Sequence, residues 1–137
     1  MGAWVIRNWE TGRCLDSNPD GAVYTSPCTA NNDYQRWSVE LLVDDHANEI
    51  MMNGHNVVTL TDVATGQSHQ LGSRSPYGPE VGTSNSPYNY WVSNGPDWQH
   101  VQLVNSQLGT NCLDSNYNGD VYLNSCNGGG FQQWHFE

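Results

Sequence analysis

Apolar residues along the chain occur in short runs, and residues typical of turns separate nearly all of these runs. Frequent short runs of this kind predict an all-β sandwich or barrel. No segment keeps a helical period over several turns, so we expect no long helix. The predicted strands are 4–7, 22–25, 35–42, 49–52, 57–60, 90–93, 101–104, 120–124 and 133–136.

One sequence pattern occurs twice, once near each end of the chain. Segments 14–24 and 112–122 both read Cys-Leu-Asp-Ser-Asn-x-x-Gly-x-Val-Tyr, and each continues to a second cysteine and then to Gln-x-Trp. A third, weaker copy lies between them, with Leu71 and Trp91 in place of the corresponding leucine and tryptophan. This middle copy has no cysteine, and Gly72 stands where the outer copies have aspartate. The chain therefore contains three copies of one folding unit.

Three copies of about forty residues predict a closed, threefold assembly, because one copy of short strands cannot bury its apolar face alone. The length of 137 residues predicts a single domain. We place the repeats at approximately 3–45, 46–96 and 97–137, with segment 44–48 as an inserted turn.

The composition narrows the range of partners. Lysine and arginine number 4 against 14 aspartates and glutamates, which gives a formal net charge of −10. Binding to nucleic acid or to an anionic membrane surface needs clustered cations, so we expect neither. No stretch is apolar enough for membrane insertion. Six Trp and seven Tyr against two Phe supply apolar side chains with polar handles, which suit both a small core and sugar contact. The oligomeric state stays open.

The four cysteines have the same spacing in the two clear repeats. This spacing predicts disulfides Cys14–Cys28 and Cys112–Cys126, each worth about 3 kcal/mol in the chain-entropy account. Disulfides imply an oxidising compartment, so we expect a secreted or extracellular protein. The absence of an Asn-x-Ser/Thr acceptor favours a bacterial source. The alternative is a reduced cytosolic protein with buried thiols.

Asp16 and Asp114 are the leading candidates for a binding role. Each follows a leucine at the end of a strand, where its carboxylate can point into a surface pocket and accept two neighbouring sugar hydroxyls. Tyr24 and Tyr122 lie on the next strand and offer a ring face beside the carboxylate. The alternative makes the aspartates turn formers and the tyrosines core aromatics. Their joint recurrence, with loss of the aspartate from the middle copy, favours a sugar site.

The Gln-x-Trp elements are interpreted as structural. We expect the tryptophans in the core and the glutamines bonded to nearby backbone, where they would brace the loop that frames the pocket. These residues are Gln35, Trp37, Trp91, Gln132 and Trp134.

Catalysis, metals and cofactors find little support in the sequence. Segments 16–21 and 114–119 fit the opening of a calcium loop, but its twelfth positions are Pro27 and Ser125 instead of glutamate. The five histidines have no recognised metal spacing. Asp16 and Asp114 occupy equivalent positions of different repeats, so threefold symmetry should place them too far apart for a paired acid and base. We expect no enzymatic activity, no metal and no cofactor.

The Cys-Leu-Asp, Cys and Gln-x-Trp elements together resemble the repeats of the ricin B-type lectins. The resemblance covers essentially the whole chain, strongly in the outer repeats and weakly in the middle one. It implies a β-trefoil and non-catalytic sugar binding, with up to one site per repeat. The fuller pattern from Leu-Asp to Tyr is similar to that of mannose-binding members. Carried over by position, the resemblance implies carbohydrate contacts from Asp16, Tyr24, Asp114, Tyr122 and Asn127. Thr29 aligns with Asn127 in the first repeat, and Asn31 is expected to take that role after a shift in the alignment. The neighbouring aromatic residues Tyr34 and Phe131 are expected to complete the wall of each site.

The leading hypothesis is a lectin for mannose or high-mannose-type glycans, with competent sites in the first and third repeats. Ser26 and Asn124 depart from the mannose-binding pattern, which has leucine there, and from the galactose-binding pattern, which has tryptophan. A second hypothesis is a carbohydrate-binding module of a larger glycosidase that recognises galactose- or xylose-type polysaccharide. A third is a protein-binding or toxin-delivery trefoil with vestigial sugar pockets.

Overall fold

The computed structural model describes residues 2–66, 68–74, 79–84, 89–106 and 111–137. In these ranges no helix is long and apolar enough to cross a bilayer. Two short 3₁₀ turns span Asp33–Gln35 and Gly130–Gln132. The strands are β1 (Gly2–Asn8), β2 (Cys14–Ser17), β3 (Val23–Ser26), β4 (Arg36–Leu41), β5 (Met51–Met52), β6 (His55–Asp62), β7 (Gln70–Ser73), β8 (Val81–Ser84), β9 (Trp91–Asp97), β10 (His100–Asn105), β11 (Asn111–Ser115), β12 (Val121–Ser125) and β13 (Trp134–Phe136).

Six of these strands close into a barrel. β1 pairs with β4, β4 with β6, β6 with β9, β9 with β10, β10 with β13, and β13 again with β1, always antiparallel. Each repeat adds one hairpin, formed by β2–β3, β7–β8 or β11–β12. A six-stranded barrel with three hairpins is a β-trefoil, so the predicted fold class is confirmed.

The apolar pattern of the sequence does not predict four strands that the structure contains. These are β2, β7, β8 and β11. In β2 every residue from Cys14 to Ser17 is buried, including Asp16. Because neither face of this strand is exposed, the sequence does not alternate between apolar and polar residues. Segment 44–48 does form the inserted turn, in which Asp44 Oδ1 accepts from two amides of the turn at 2.8 and 3.0 Å.

Three fully buried tryptophans connect the barrel to the hairpins. Each indole Nε1 donates to the carbonyl of the leucine in the first hairpin strand of its own repeat. That leucine directly precedes the recurring aspartate, or the glycine that replaces it, so the bond fixes the position of the candidate site. The bonded pairs are Trp37–Leu15, Trp91–Leu71 and Trp134–Leu113, at 3.0, 2.9 and 3.1 Å.

The hairpins contact one another around the threefold axis. A backbone amide of each hairpin donates to a carbonyl at the turn of the preceding hairpin, and the three contacts form a closed ring. They run from Thr83 to Gly21, from Leu123 to Pro79 and from Thr25 to Gly119, at 3.0, 2.8 and 2.8 Å.

Gly21 and Gly119, the recurring glycines of the sequence pattern, are required by this ring. Their φ angles are +88° and +91°, in the left-handed region. A Cβ on Gly119 would lie 2.7 Å from the Thr25 carbonyl oxygen, and one on Gly21 would lie 3.0 Å from that of Thr83. The recurrence of glycine is therefore explained by hairpin packing.

Trp37, Trp91 and Trp134 are called the anchor tryptophans below. In the barrel, a fully buried polar residue lies opposite each of them. These residues are Asn8, Asp62 and Asn105, opposite Trp134, Trp37 and Trp91. Asp62 thus has a carboxylate where the other repeats have an amide. Its Oδ2 accepts from Ser17 Oγ at 2.6 Å, and its Oδ1 accepts from the Ala64 amide at 2.9 Å. Burial raises the pKa of Asp62 to about 6, and the negative charge of nearby Asp16 acts in the same direction.

Asp62→Asn is expected to stabilise the protein at neutral pH. Folded Asp62 holds its proton more tightly than the unfolded chain, so its contribution to stability is present below about pH 4 and is lost as the pH rises through about 6. Asparagine avoids that loss and should raise the free energy of unfolding by about 1–3 kcal/mol at neutral pH. Urea unfolding across this pH range measures the difference.

Asp45→Asn is the control, because it removes the same charge from an exposed side chain. It should leave stability nearly unchanged. An Asp62 variant that is less stable than the wild type at neutral pH would show that the carboxylate is favourable in its buried place.

Candidate functional site

Two disulfides frame the candidate sites of the outer repeats. They join Cys14 to Cys28 and Cys112 to Cys126, with Cα–Cα distances of 5.1 and 5.0 Å. The predicted pairing is confirmed. Each bond links the first strand of a hairpin to the loop that follows its second strand, so this loop is held beside the recurring aspartate.

The structure brings each predicted aspartate and tyrosine together. Asp16 lies directly opposite Tyr24 in the first hairpin, and Asp114 lies opposite Tyr122 in the third. Opposite residues of an antiparallel pair project from the same face. The two aspartates are only 7% and 5% exposed, however. Their carboxylates are thus nearly enclosed, whereas the sequence suggested that they point into an open pocket.

Gln35 holds the Asp16 carboxylate in place. Its Nε2 donates to Asp16 Oδ2 and to a loop carbonyl, both at 3.1 Å. Its Oε1 accepts from the Thr29 amide at 2.9 Å. The Ser26 hydroxyl also donates to Oδ2, and the Ser17 amide donates to Oδ1 at 2.8 Å. One glutamine therefore joins the carboxylate to the disulfide-closed loop.

Gln132 has the same role in the third repeat. Its Nε2 donates to Asp114 Oδ2 at 3.0 Å and to a loop carbonyl at 2.9 Å, while its Oε1 accepts from the Asn127 amide at 2.7 Å. Asn124 Nδ2 donates to Oδ2 at 3.3 Å, and the Ser115 amide donates to Oδ1 at 2.7 Å. The two networks match, except that the third repeat uses an amide where the first uses a serine hydroxyl.

In the described part of the chain, one acceptor position of each carboxylate has no hydrogen-bond donor. A carboxylate has about four lone-pair positions. In Asp16 and Asp114 the protein occupies two on Oδ2 and one on Oδ1. The remaining position is on Oδ1. One ligand hydroxyl can donate there, instead of the two that the sequence suggested.

Tyr24 and Tyr122 are fixed against these carboxylates. Their hydroxyls donate to the carbonyls of Ser17 and Ser115, at 3.1 and 3.2 Å. Burial raises the pKa of both tyrosines, and the charge of the facing aspartate adds to the effect. Both rings are therefore neutral at physiological pH, and each hydroxyl oxygen can accept a further hydrogen bond.

The remaining predicted contacts differ in how directly they adjoin these pairs. Tyr34 is half-buried and lies close enough to Tyr24 to affect its pKa. Asn127 is exposed, and its Oδ1 accepts from the Gly129 amide at 2.7 Å. Phe131 makes an edge-to-face contact with Tyr117, with ring centroids 5.4 Å apart. Tyr117 is exposed and is not among the residues that the sequence predicted.

Asn31 is the predicted contact with least structural support. It is exposed and has a φ of +60°. Within the described ranges no hydrogen bond joins its side chain to Asp16 or Tyr24. The same ranges contain no group of three or more His, Cys, Asp or Glu side chains that could hold a metal ion.

The middle repeat has different chemistry at the equivalent place. Gly72 lies opposite Gly82, where the outer repeats have aspartate opposite tyrosine. A Cβ on Gly82 would overlap the Arg74 guanidinium, so the arginine occupies this space. Arg74 Nη2 also donates to the Gly21 carbonyl at 2.9 Å, which ties the middle repeat to the first. Sequence reasoning missed Arg74, and the only signal for it is the pair of glycines that makes room.

Several recurring polar residues of the sequence pattern have structural roles. Asn18 and Asn116 each accept two backbone amides of their own turn. Ser17 bonds to Asp62, and the glycines permit hairpin packing. Recurrence alone therefore does not identify ligand contacts. The fourth lone-pair position of each aspartate, which no described residue occupies, has no such structural role.

Gln132→Ala is expected to lower the free energy of unfolding by about 1–3 kcal/mol, because it leaves buried polar groups of Asp114 and of the loop without their partner. Urea unfolding measures this change. Gln99→Ala is the control, because Gln99 is exposed and its side chain lies outside the network. If both variants match the wild type, the glutamine does not hold the loop.

Comparison with solved structures places the fold among known β-trefoils. ThreeFoil, a designed threefold-symmetric protein, superposes with a TM-score of 0.75 at 22% identity, covering 99% of this chain and 98% of that chain. SeviL, solved with the asialo-GM1 saccharide, superposes with a TM-score of 0.70 at 21% identity, covering 100% and 97%.

A third similar structure is much longer than this chain. It is the GlcNAcα1-4Gal-releasing endo-β-galactosidase from Clostridium perfringens, with a TM-score of 0.75 at 19% identity. The match covers 99% of this chain but only 32% of the enzyme. No family model matches the sequence. At these identities the comparisons establish the class of the fold, a β-trefoil.

Proposed function

We propose that the protein is a carbohydrate-binding lectin without catalytic activity, with binding sites in the first and third repeats. The observation that carries this proposal is the open acceptor position on Asp16 and Asp114, each beside a fixed tyrosine. A sugar hydroxyl would donate to Oδ1, and the tyrosine would offer its ring edge and hydroxyl oxygen. SeviL, whose structure was solved with a bound saccharide, supports this use of the fold.

The proposed ligand class is mannose or high-mannose-type glycans. The pattern from Leu-Asp to Tyr resembles that of actinohivin, a trefoil lectin that recognises high-mannose glycans. Ser26 and Asn124 replace a leucine of that pattern, and both donate to the aspartate carboxylate. They would therefore orient the carboxylate towards the sugar instead of providing an apolar wall.

Two shallow sites would bind weakly alone and more tightly together. A single site of this type is expected to bind at about 1 mM. Two sites on one branched glycan would gain on the order of 10²- to 10⁴-fold in avidity. We further propose that residues 1–137 act as one domain and that the protein is secreted, from a bacterial source. The two disulfides support an extracellular location.

A second candidate function is a carbohydrate-binding module of a larger glycosidase. It is favoured by the structural match to about a third of the Clostridium perfringens enzyme. In that case the ligand would be a galactose- or xylose-type polysaccharide. Binding to galactan or xylan, with none to mannan, would favour this candidate over the mannose-binding one.

The double variant Asp16→Ala with Asp114→Ala is expected to abolish glycan binding, because neither site would retain the carboxylate acceptor. A glycan microarray gives the readout. Each single variant should keep the weak binding of the other site and lose the gain from avidity. Asp16→Asn with Asp114→Asn keeps the side-chain volume, and thermal unfolding checks that it is folded.

The control is Asp20→Ala with Asp120→Ala, which removes two exposed carboxylates from the same hairpins. Its binding should match that of the wild type, and this excludes an effect of net charge. Unchanged array binding by a folded Asp16 and Asp114 double variant would refute the site assignment.

A further inference from the structure

Trp9 is the most exposed tryptophan of the chain, and its ring is held in a fixed position. The side chain is 49% exposed, whereas the three anchor tryptophans are fully buried. Its Nε1 donates to the Gln99 carbonyl at 2.9 Å. The indole stacks on His100, with ring centroids 4.8 Å apart and an interplanar angle of 28°, and the His135 ring lies 5.9 Å away. Since His100 covers one ring face, the exposure indicates that the other remains open.

A polar depression adjoins this indole. It has a volume of about 350 Å³ and is lined by Gly95, Pro96, Asn94, His100, Gln102 and Gln133. His100 belongs to both the ring stack and the lining, and the Trp9 amide donates to the Gln133 carbonyl at 3.0 Å. The described lining contains amides and no Asp, Glu, Lys or Arg, which favours a neutral ligand. Amides beside an open indole supply the hydrogen bonds and the apolar face that a sugar ring needs.

Gln102 connects this depression to the third-repeat site. Its Nε2 donates to the Asn127 carbonyl at 2.5 Å, and its Oε1 accepts from Asn94 Nδ2 at 3.1 Å. The Asn127 amide is in turn bonded to Gln132, which holds Asp114. A hydrogen bond from the lining of the depression therefore reaches the loop that adjoins Asp114.

The three repeats are not equivalent in this respect. Trp9 follows Asn8, and the residues that follow Asp62 and Asn105 are Val63 and Ser106. Neither of these residues has an aromatic ring. The indole thus distinguishes the surface beside the third-repeat site from the corresponding surfaces of the other two repeats.

We propose that Trp9 and the depression form a further saccharide subsite, separate from the two repeat sites, for a neutral sugar of a glycan bound at the third-repeat site. The C–H face of this sugar stacks on the open indole face, and the amides of Asn94, Gln102 and Gln133 bond its hydroxyls. The inference rests on the proposed function. It adds that the third-repeat site favours an extended oligosaccharide over a single sugar.

Two variants, Trp9→Ala and Trp9→Phe, test this subsite. Their affinity is measured for an oligosaccharide that the wild type binds on the glycan array, and for the terminal monosaccharide of that oligosaccharide. Trp9→Ala should bind the oligosaccharide about tenfold more weakly, with unchanged affinity for the monosaccharide. Trp9→Phe should restore most of the binding. Val63→Ala is the matched control, because it truncates the exposed residue at the equivalent position.

A second measurement uses the wild-type protein and so does not depend on a variant being folded. N-bromosuccinimide oxidises exposed indoles, and mass spectrometry of the peptide that contains Trp9 reports the rate. The oligosaccharide should slow this oxidation, and the monosaccharide should not. Equal oxidation rates with and without the oligosaccharide, or full oligosaccharide binding by Trp9→Ala, would overturn the subsite and leave the proposed function intact. Absence of any array binding by the wild type would overturn both.

Discussion

The hydrogen bond from each anchor tryptophan to a leucine carbonyl is the interaction on which the rest of the structure depends. A buried indole N–H needs a partner, and the leucine carbonyl supplies it in all three repeats. The bond joins the last strand of a repeat to the first strand of its hairpin. It therefore sets the position of the next residue, which is Asp16, Gly72 or Asp114. In each outer repeat, this hydrogen bond fixes the peptide between the leucine and the aspartate. The disulfide-closed loop and the glutamine are arranged around that peptide.

The sequence predicted the architecture well because the features that carry it recur. Equal cysteine spacing predicted the disulfides, and the spacing of turns and apolar runs predicted β-structure. Residues that act once were missed. Trp9 has no aromatic equivalent in the other repeats, and Arg74 fills space that exists only where two glycines face each other. The enclosure of Asp16 was missed because Gln35, its partner, is distant in sequence and is brought to it by the fold.

The candidate sites use parts that also stabilise the scaffold. Gln132 holds both the Asp114 carboxylate and the loop that carries Asn127, so stability and binding share one network. The middle repeat shows how such a network is replaced. It has glycine in place of aspartate and tyrosine, and an arginine fills the space and bonds to the first repeat. Its tryptophan anchor is unchanged, which separates what the fold needs from what a ligand would use.

The closure of the barrel has a consequence for the order of folding. β1 pairs with β13, and Val5 and Glu137 exchange two backbone hydrogen bonds at 2.9 and 2.8 Å. During synthesis β1 therefore leaves the ribosome long before its partner exists, and one of its edges stays open until then. Contacts this distant in sequence form slowly. The completed barrel therefore forms only after β13 has emerged and can pair with β1.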